Sequence, residues 1–174
     1  WIYVYRELHQ PGLIVSEAAK KILEYSCGEE PEELYMPPDM ASRQKDSGRT
    51  MAELFYENGI SGKAADNRRV AGWLAVKELL KPVSDPYGGK TPRLRIFKNC
   101  TTLIAHLPAL VRDEKNGSDA SSHPHEITHI CDALRYFALS YREKEPPAPA
   151  LSPLEEAKRK ALKRAKTGSR RSAF

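Results

Sequence analysis

The most regular hydrophobic pattern in the chain lies between residues 125 and 141. At 3.6 residues per turn, one continuous apolar stripe forms there, made of Ile127, Ile130, Cys131, Leu134, Phe137, Ala138 and Tyr141. Polar side chains recur every three residues beside this stripe, at Glu126, His129 and Asp132, and therefore share a second face. The pattern predicts an amphipathic helix that packs on a core along its apolar stripe and carries an imidazole and carboxylates on the adjacent face.

Short strands and helices alternate through the rest of the chain. Aromatic, β-branched or alternating residues predict strands at 1–8, 34–36 and 93–97, with a very short one near Lys63. Capping residues predict helices that start at Ser16, Thr50, Asp66 and Asn99, whereas the Gly- and Pro-rich residues 84–92 predict a loop. The order β-α-β-α-(β)-α-β-α-α favours an α/β fold with a sheet flanked by helices.

Composition adds few constraints on function. The chain has 174 residues, of which 40% are hydrophobic, so it can bury a core as one domain. No run of eighteen apolar residues and no basic leader is present, so neither a membrane partner nor a signal peptide is expected. Cys27, Cys100 and Cys131 form no CxxC pair and are expected to be free thiols in a reducing cytoplasm.

Positive charge is concentrated at the end of the chain. The formal net charge is +5, and residues 146–174 contribute eight Lys and Arg against two Glu, a balance of +6. Residues 1–145 therefore carry −1, which argues against a strong free-standing DNA-binding surface there. We predict a folded domain over 1–145, followed by a Pro-rich linker and basic C-terminal tail over 146–174.

Three residues are candidates for metal chemistry. Asp132 and His129 lie one turn apart on the predicted last helix, and Asp39 directly follows a strand and two prolines. Carboxylate oxygens and a neutral imidazole suit Mg, Mn or Zn, and ligands in α/β sheets lie beyond the carboxyl ends of strands. The alternatives are a solvated His–Asp pair on the helix and an Asx-type turn at Asp39.

Residues 129–136, His-x-x-Asp-Ala-Leu-Arg-Tyr, resemble the closing helix of the nuclease domain of the large terminase subunit of tailed bacteriophages, an RNase H-like endonuclease. The segment from Asp39 through Ala52-Glu53-Leu54-Phe55 to Gly59-Ile60 and the GW-x-x-VKELL stretch at 72–80 are also similar to that family. Family members often carry an acidic residue directly before the His, where this chain has Thr128.

The resemblance implies a metal-dependent endonuclease that cleaves double-stranded DNA during viral genome packaging in the host cytoplasm. Asp39 and Asp132 would be ligands for Mg²⁺ or Mn²⁺, and His129 would be a ligand or an acid/base group. The expected partners are double-stranded DNA, the terminase ATPase domain, the small terminase subunit and the portal.

The resemblance also implies a missing element. The family's sheet begins with a strand whose Asp is the first of three metal-binding acids, and that strand precedes the one that residues 1–8 resemble. We therefore expect an RNase H-like mixed sheet flanked by helices that lacks its first strand. Glu7 is the only acid in the strand predicted at residues 1–8 and either approaches the site or is a surface or ion-paired residue. The alternative function is a non-catalytic module that docks to DNA or to the portal.

Overall fold

Residues 1–45 and 47–141 are described by a computed structural model. The chain divides into two units, Trp1–Tyr141 and Arg142–Phe174, and the second lies outside the described residues. The linker and tail predicted for 146–174 therefore lie outside them too. The described part contains six short strands and five α-helices. In chain order these are β1 Ile2–Val4, α1 Val15–Ser26, β2 Tyr35–Met36, α2 Met51–Glu57, β3 Lys63–Ala64, α3 Arg69–Leu80, β4 Pro82–Ser84, β5 Lys90–Pro92, β6 Leu94–Ile96, α4 Thr101–His106 and α5 His125–Ser140.

The strands form three separate two-stranded sheets. β1 pairs with β6 and β2 pairs with β3, both in parallel, whereas β4 and β5 form an antiparallel hairpin. The mixed α/β prediction is confirmed. The order of strands in a single RNase H-like sheet is not seen among the described residues, where β1 and β2 belong to different sheets.

Two apolar clusters hold the described residues together. The larger one lies between α3, α5, α4 and β6, and its buried members are Trp73, Val76, Leu94, Leu103, Cys131, Leu134 and Ala138. The smaller one joins α1, α2 and β2 through Ala19, Met36, Phe55 and Ile60. Trp73 of α3 is a core residue, and α5 contributes Cys131, Leu134 and Ala138 to the same cluster.

The buried face of α5 differs from the predicted apolar stripe. Thr128 and Arg135 are buried, and Arg135 is completely inaccessible to solvent, whereas Ile127 and Ile130 are only half-buried. A guanidinium group can lie here because Gly72 of α3 leaves room for it. A Cβ atom at Gly72 would lie 2.5 Å from Cγ of Arg135.

Several predicted element ends are wrong for local reasons. Ser16 lies inside α1, since the Glu17 carboxylate accepts a hydrogen bond from the Ile14 amide (3.2 Å) and starts the helix earlier. Asp66 does not cap α3, because its carboxylate is engaged by Arg68. Part of the loop predicted at 84–92 is a hairpin strand, and Asp85 organises its turn by accepting hydrogen bonds from the Tyr87 and Gly89 amides.

The capping signal for α2 is confirmed. The Thr50 hydroxyl accepts a hydrogen bond from the Glu53 amide (3.0 Å), and the Glu53 carboxylate accepts one from the Thr50 amide (2.8 Å). Two of the amide donors that a helix start leaves unpaired are thereby satisfied. The hydrogen bond from the Thr50 amide outweighs desolvation and holds the pKa of Glu53 below its ordinary value.

Replacing Gly72 by alanine is expected to lower the free energy of unfolding by about 1–3 kcal/mol, because the new methyl group overlaps the Arg135 side chain. Urea denaturation followed by circular dichroism measures the change. Gly117→Ala is the matched control, since a Cβ atom there meets no neighbour within 4 Å. Equal stability of the two variants would show that the α3–α5 contact is not closely packed at Arg135.

Candidate functional site

Asp132 is a half-buried residue of α5, and two guanidinium groups contact its carboxylate. Its Oδ1 atom accepts a hydrogen bond from Nε of Arg135 at 2.7 Å and lies 3.6 Å from Nη1 of Arg69. About one fifth (21%) of the side chain remains exposed. The carboxylate is therefore fixed in orientation while one side of it faces solvent.

The same network continues to a second carboxylate. Arg69, the first residue of α3, donates from Nε to Oδ2 of Asp119 at 3.0 Å and from Nη2 to the Ala120 carbonyl at 2.9 Å. The indole nitrogen of Trp73 donates to the other oxygen of Asp119 at 3.0 Å. Arg69 thus bridges Asp119 in the loop before α5 and Asp132 in α5 itself.

Arg135 completes the network from the buried side. Its Nη2 atom donates to Oδ1 of Asn67 at 3.0 Å, and its guanidinium lies over the rings of Tyr136 and Trp73. Its Nη1 atom is buried without a hydrogen-bond partner. A buried charge of this kind is tolerated only with a nearby counter-charge, which Asp132 supplies.

Three of these residues were not predicted from the sequence. Asp119 lies in a polar loop without periodicity, and neither Arg69 nor Asn67 shows a local signal for pairing with α5. Arg135 follows Asp132 by three residues, which places both side chains on one face of α5, and the two are in contact.

His129 is exposed and belongs to a group of three histidines at the start of α5. Its ring centroid lies 5.8 Å from that of His125, which in turn lies 4.6 Å from that of His123. His129 also lines a hollow of about 310 Å³ whose other walls include Tyr35 and Pro37 at the end of β2. The predicted acid/base residue therefore faces the carboxyl end of a strand.

Asp39 is exposed in a 3₁₀ turn, Pro38–Ala41, that follows β2. Its carbonyl accepts a hydrogen bond from the Ser42 amide (2.9 Å), which closes the turn. Pro37, two residues earlier, lines the hollow beside His129, but neither Asp39 nor Asp132 is among its lining residues. The structure thus brings the β2 end to the same side of α5 as His129.

The donor set suits Mg²⁺ or Mn²⁺ in its chemistry but is not gathered into a complete site. Asp39 and Asp132 supply carboxylate oxygens and His129 an imidazole nitrogen. Across residues 1–45 and 47–141, no three His, Cys, Asp or Glu side chains are grouped so that they could hold a metal ion. The described residues therefore provide separate donors, not a closed coordination sphere.

Glu7 caps the start of α4, a role that differs from both predictions for this residue. Its carboxylate accepts hydrogen bonds from the Thr102 amide at 2.7 Å and the Leu103 amide at 2.9 Å, at the start of α4. Burial acts to raise the pKa of Glu7, but the two amide hydrogen bonds outweigh it and hold the pKa below its ordinary value. The carboxylate caps a helix from a segment far away in the sequence.

The cysteines are free within the described residues. Cys27 is exposed, whereas Cys100 and Cys131 are buried. Burial, with a smaller contribution from the neighbouring Asp132 charge, raises the pKa of Cys131 to about 11. The thiol beside the candidate site is therefore protonated at neutral pH and acts as an apolar core group.

No family model, curated protein or solved structure matches this chain. The resemblance to terminase nucleases therefore stays a prediction from the motifs quoted above. Within the part of the chain that the structure describes, no helix has both the length and the apolar character needed to cross a membrane.

Replacing Glu7 by glutamine is expected to lower stability at neutral pH by on the order of 1 kcal/mol, because a charged acceptor for two amides is lost. Since the folded pKa is depressed, the contribution is fully present above the unfolded-state pKa and disappears as the pH falls through the folded value. Denaturation curves over this acidic range measure the difference.

The exposed Glu114, replaced by glutamine, is the matched control and is expected to change stability little at any pH. A Glu7→Gln effect that persists unchanged at the lowest pH would contradict the charged cap.

Proposed function

We propose that this chain is the nuclease domain of the large terminase subunit of a tailed bacteriophage, a metal-dependent endonuclease that cleaves double-stranded DNA during genome packaging. An RNase H-like arrangement of the strands belongs to the same proposal. The proposal also includes the location in the host cytoplasm and the packaging partners, which are the ATPase domain, the small terminase subunit and the portal.

One observation carries the proposal. His129 and the carboxyl end of β2, which leads directly into Asp39, line the same side of α5, and Asp132 follows His129 by three residues. The imidazole of His129 and the strand end that precedes Asp39 come from distant segments of the chain and line one hollow, which supports the proposal. The partial exposure of Asp132 leaves one side of that carboxylate open to a ligand.

In this proposal, Asp39 and Asp132 hold Mg²⁺ or Mn²⁺. When bound, a divalent ion would supply Lewis-acid chemistry for phosphodiester hydrolysis, by activating water and by neutralising charge on the phosphate. Arg69 and Arg135 hold the Asp132 carboxylate in a fixed orientation. His129, exposed beside the strand end, either ligates the ion or transfers a proton at the scissile phosphate.

Replacement of Asp132 by asparagine tests the reaction while preserving an acceptor for Arg135. Nicking of supercoiled plasmid in Mn²⁺ is expected for the unmodified chain, and chelator is expected to abolish it. Asp132→Asn and Asp39→Asn should each lower the rate by at least about 100-fold, because each removes a carboxylate ligand. His129→Gln should lower it less, by about 10²-fold at most.

Glu114→Gln, on the exposed loop, is the matched control and should retain full nicking. Circular dichroism of each variant establishes that it folds. Nicking that survives in Asp132→Asn, or that is insensitive to chelator, would refute the assignment of the site.

A second function is favoured by a different observation. The described residues do not gather three metal-binding side chains, and Asp132 is already paired with two guanidinium groups. These features also fit a non-catalytic module that docks to DNA or to the portal through its basic residues 146–174.

Deleting residues 146–174 tests the module. If it docks through these residues, DNA binding measured by fluorescence anisotropy should be strong at low salt, weaken steeply as salt rises, and vanish on deletion, because eight Lys and Arg are removed. Plasmid nicking should be absent throughout. Unchanged salt-sensitive binding after deletion would place the contact surface in residues 1–145 and contradict the module.

A further inference from the structure

One face of the β1–β6 sheet is turned away from the larger apolar cluster. The side chains that pack on that cluster are Ile2, Val4, Leu94 and Ile96. Tyr3 and Arg95 are register partners between these residues, so both side chains lie on the opposite face. Phe97 continues that face, since its amide still donates to the Val4 carbonyl at 2.9 Å. We call the surface formed by Tyr3, Arg95 and Phe97 the aromatic face.

The two rings of the aromatic face are half exposed. The exposed fractions are 46% for Tyr3 and 49% for Phe97. The ring centroids lie 6.0 Å apart and the ring planes meet at 84°, so the two rings are not stacked face to face. Ring surface is therefore left on which a flat group of a ligand can stack.

Arg95 adds a positive charge to the aromatic face. Its guanidinium carbon lies 4.7 Å from the centroid of the Trp1 ring and 5.9 Å from that of the Tyr3 ring. Its Nη2 atom donates to the Thr91 hydroxyl at 2.9 Å, and Arg95 forms no ion pair with a carboxylate of residues 1–45 and 47–141. A guanidinium group that stacks on aromatic rings without an acidic partner keeps donors for an anionic ligand.

The residues around Arg95 have the same sign of charge. The segment 90–98 has no acidic residue, and its basic residues are Lys90, Arg93, Arg95 and Lys98. Because residues 1–145 sum to −1, this segment is a local concentration of positive charge in a nearly neutral part of the chain. Exposed aromatic rings beside positive charge are the combination with which proteins bind the bases and phosphates of single strands.

We propose that the aromatic face binds single-stranded DNA. Unpaired bases stack on the rings of Tyr3 and Phe97, and the guanidinium group of Arg95 donates hydrogen bonds to a phosphate between them. In a duplex the faces of the bases are covered by neighbouring base pairs, so stacking of this kind selects an unpaired strand.

The side chains of the aromatic face favour DNA as the occupant. Arg95 and Phe97 have no hydrogen-bond acceptor for the 2′-hydroxyl group with which RNA is told from DNA. This inference goes beyond the nuclease proposal and does not rest on it, because it uses no metal ion and none of Asp39, Asp132 and His129.

The test compares two oligonucleotides that carry the same charge. The full chain is titrated, in chelator, against fluorescein-labelled strands of about twelve nucleotides, a length within the range that such surfaces bind. One strand is oligothymidine, and the other has the same phosphates but abasic sugars. Any contact of the basic residues 146–174 with phosphates is common to both strands. Fluorescence anisotropy is expected to show at least about fivefold tighter binding of oligothymidine, because only this strand has bases to stack.

Variants assign the difference to the aromatic face. Phe97→Ala is expected to weaken binding of oligothymidine at least about fivefold and to leave binding of the abasic strand unchanged, whereas Phe97→Tyr should retain both affinities. Arg95→Gln should weaken binding of both strands, because a phosphate donor is lost. Tyr87→Ala is the matched control, since Tyr87 is 97% exposed in the turn between β4 and β5, outside the aromatic face. Circular dichroism establishes the fold of each variant.

Three results would overturn the proposal. Equal affinity for oligothymidine and the abasic strand would show that phosphates alone are bound, and an unchanged Phe97→Ala variant would remove the aromatic face from the contact. Tighter binding of oligouridine RNA of the same length would assign the face to RNA. Because the chelator prevents metal-dependent cleavage, none of these results depends on the outcome of the nicking assay.

Discussion

The burial of one positive charge organises the contact between α3 and α5. Arg135 is fully buried, and its charge is balanced by Asp132 on the same helix and supported by Asn67 just before α3. An uncompensated charge in this position would cost several kcal/mol, so the carboxylate and the guanidinium constrain each other. Gly72 belongs to the same constraint, because any larger residue there would occupy the space of the Arg135 side chain.

Because of this constraint, Asp132 has two separate roles. It neutralises Arg135 on the buried side of α5 and presents a carboxylate oxygen at the surface, close to His129 in sequence. A residue with a structural role of this kind need not be a ligand, and a ligand held in this way is well oriented. For this reason the conservative change to asparagine is more informative than removal of the side chain.

Much of the secondary structure could be predicted because its causes are local. The period of α5 and the capping box at Thr50 and Glu53 depend on residues a few positions apart, and both are present. The buried Arg135 could not be predicted, since the space for it comes from Gly72 and its partner Asn67 from another segment. The β4–β5 hairpin was missed because its Gly and Pro residues indicated only a loop, whereas Asp85 organises a tight turn there. Of the candidate site, the shared helix of His129 and Asp132 followed from the local period, but the Arg69–Asp119 pair did not.

The cap that Glu7 places on α4 links parts of the chain that are 95 residues apart. α4 has only six residues, fewer than an isolated helix needs to persist in water. The formation of α4 therefore depends on the segment that contains Glu7, whose carboxylate accepts hydrogen bonds from the first amides of the helix. Closing so large a loop is slow, so the start of the chain and α4 are expected to become ordered together, late in folding and as one cooperative step.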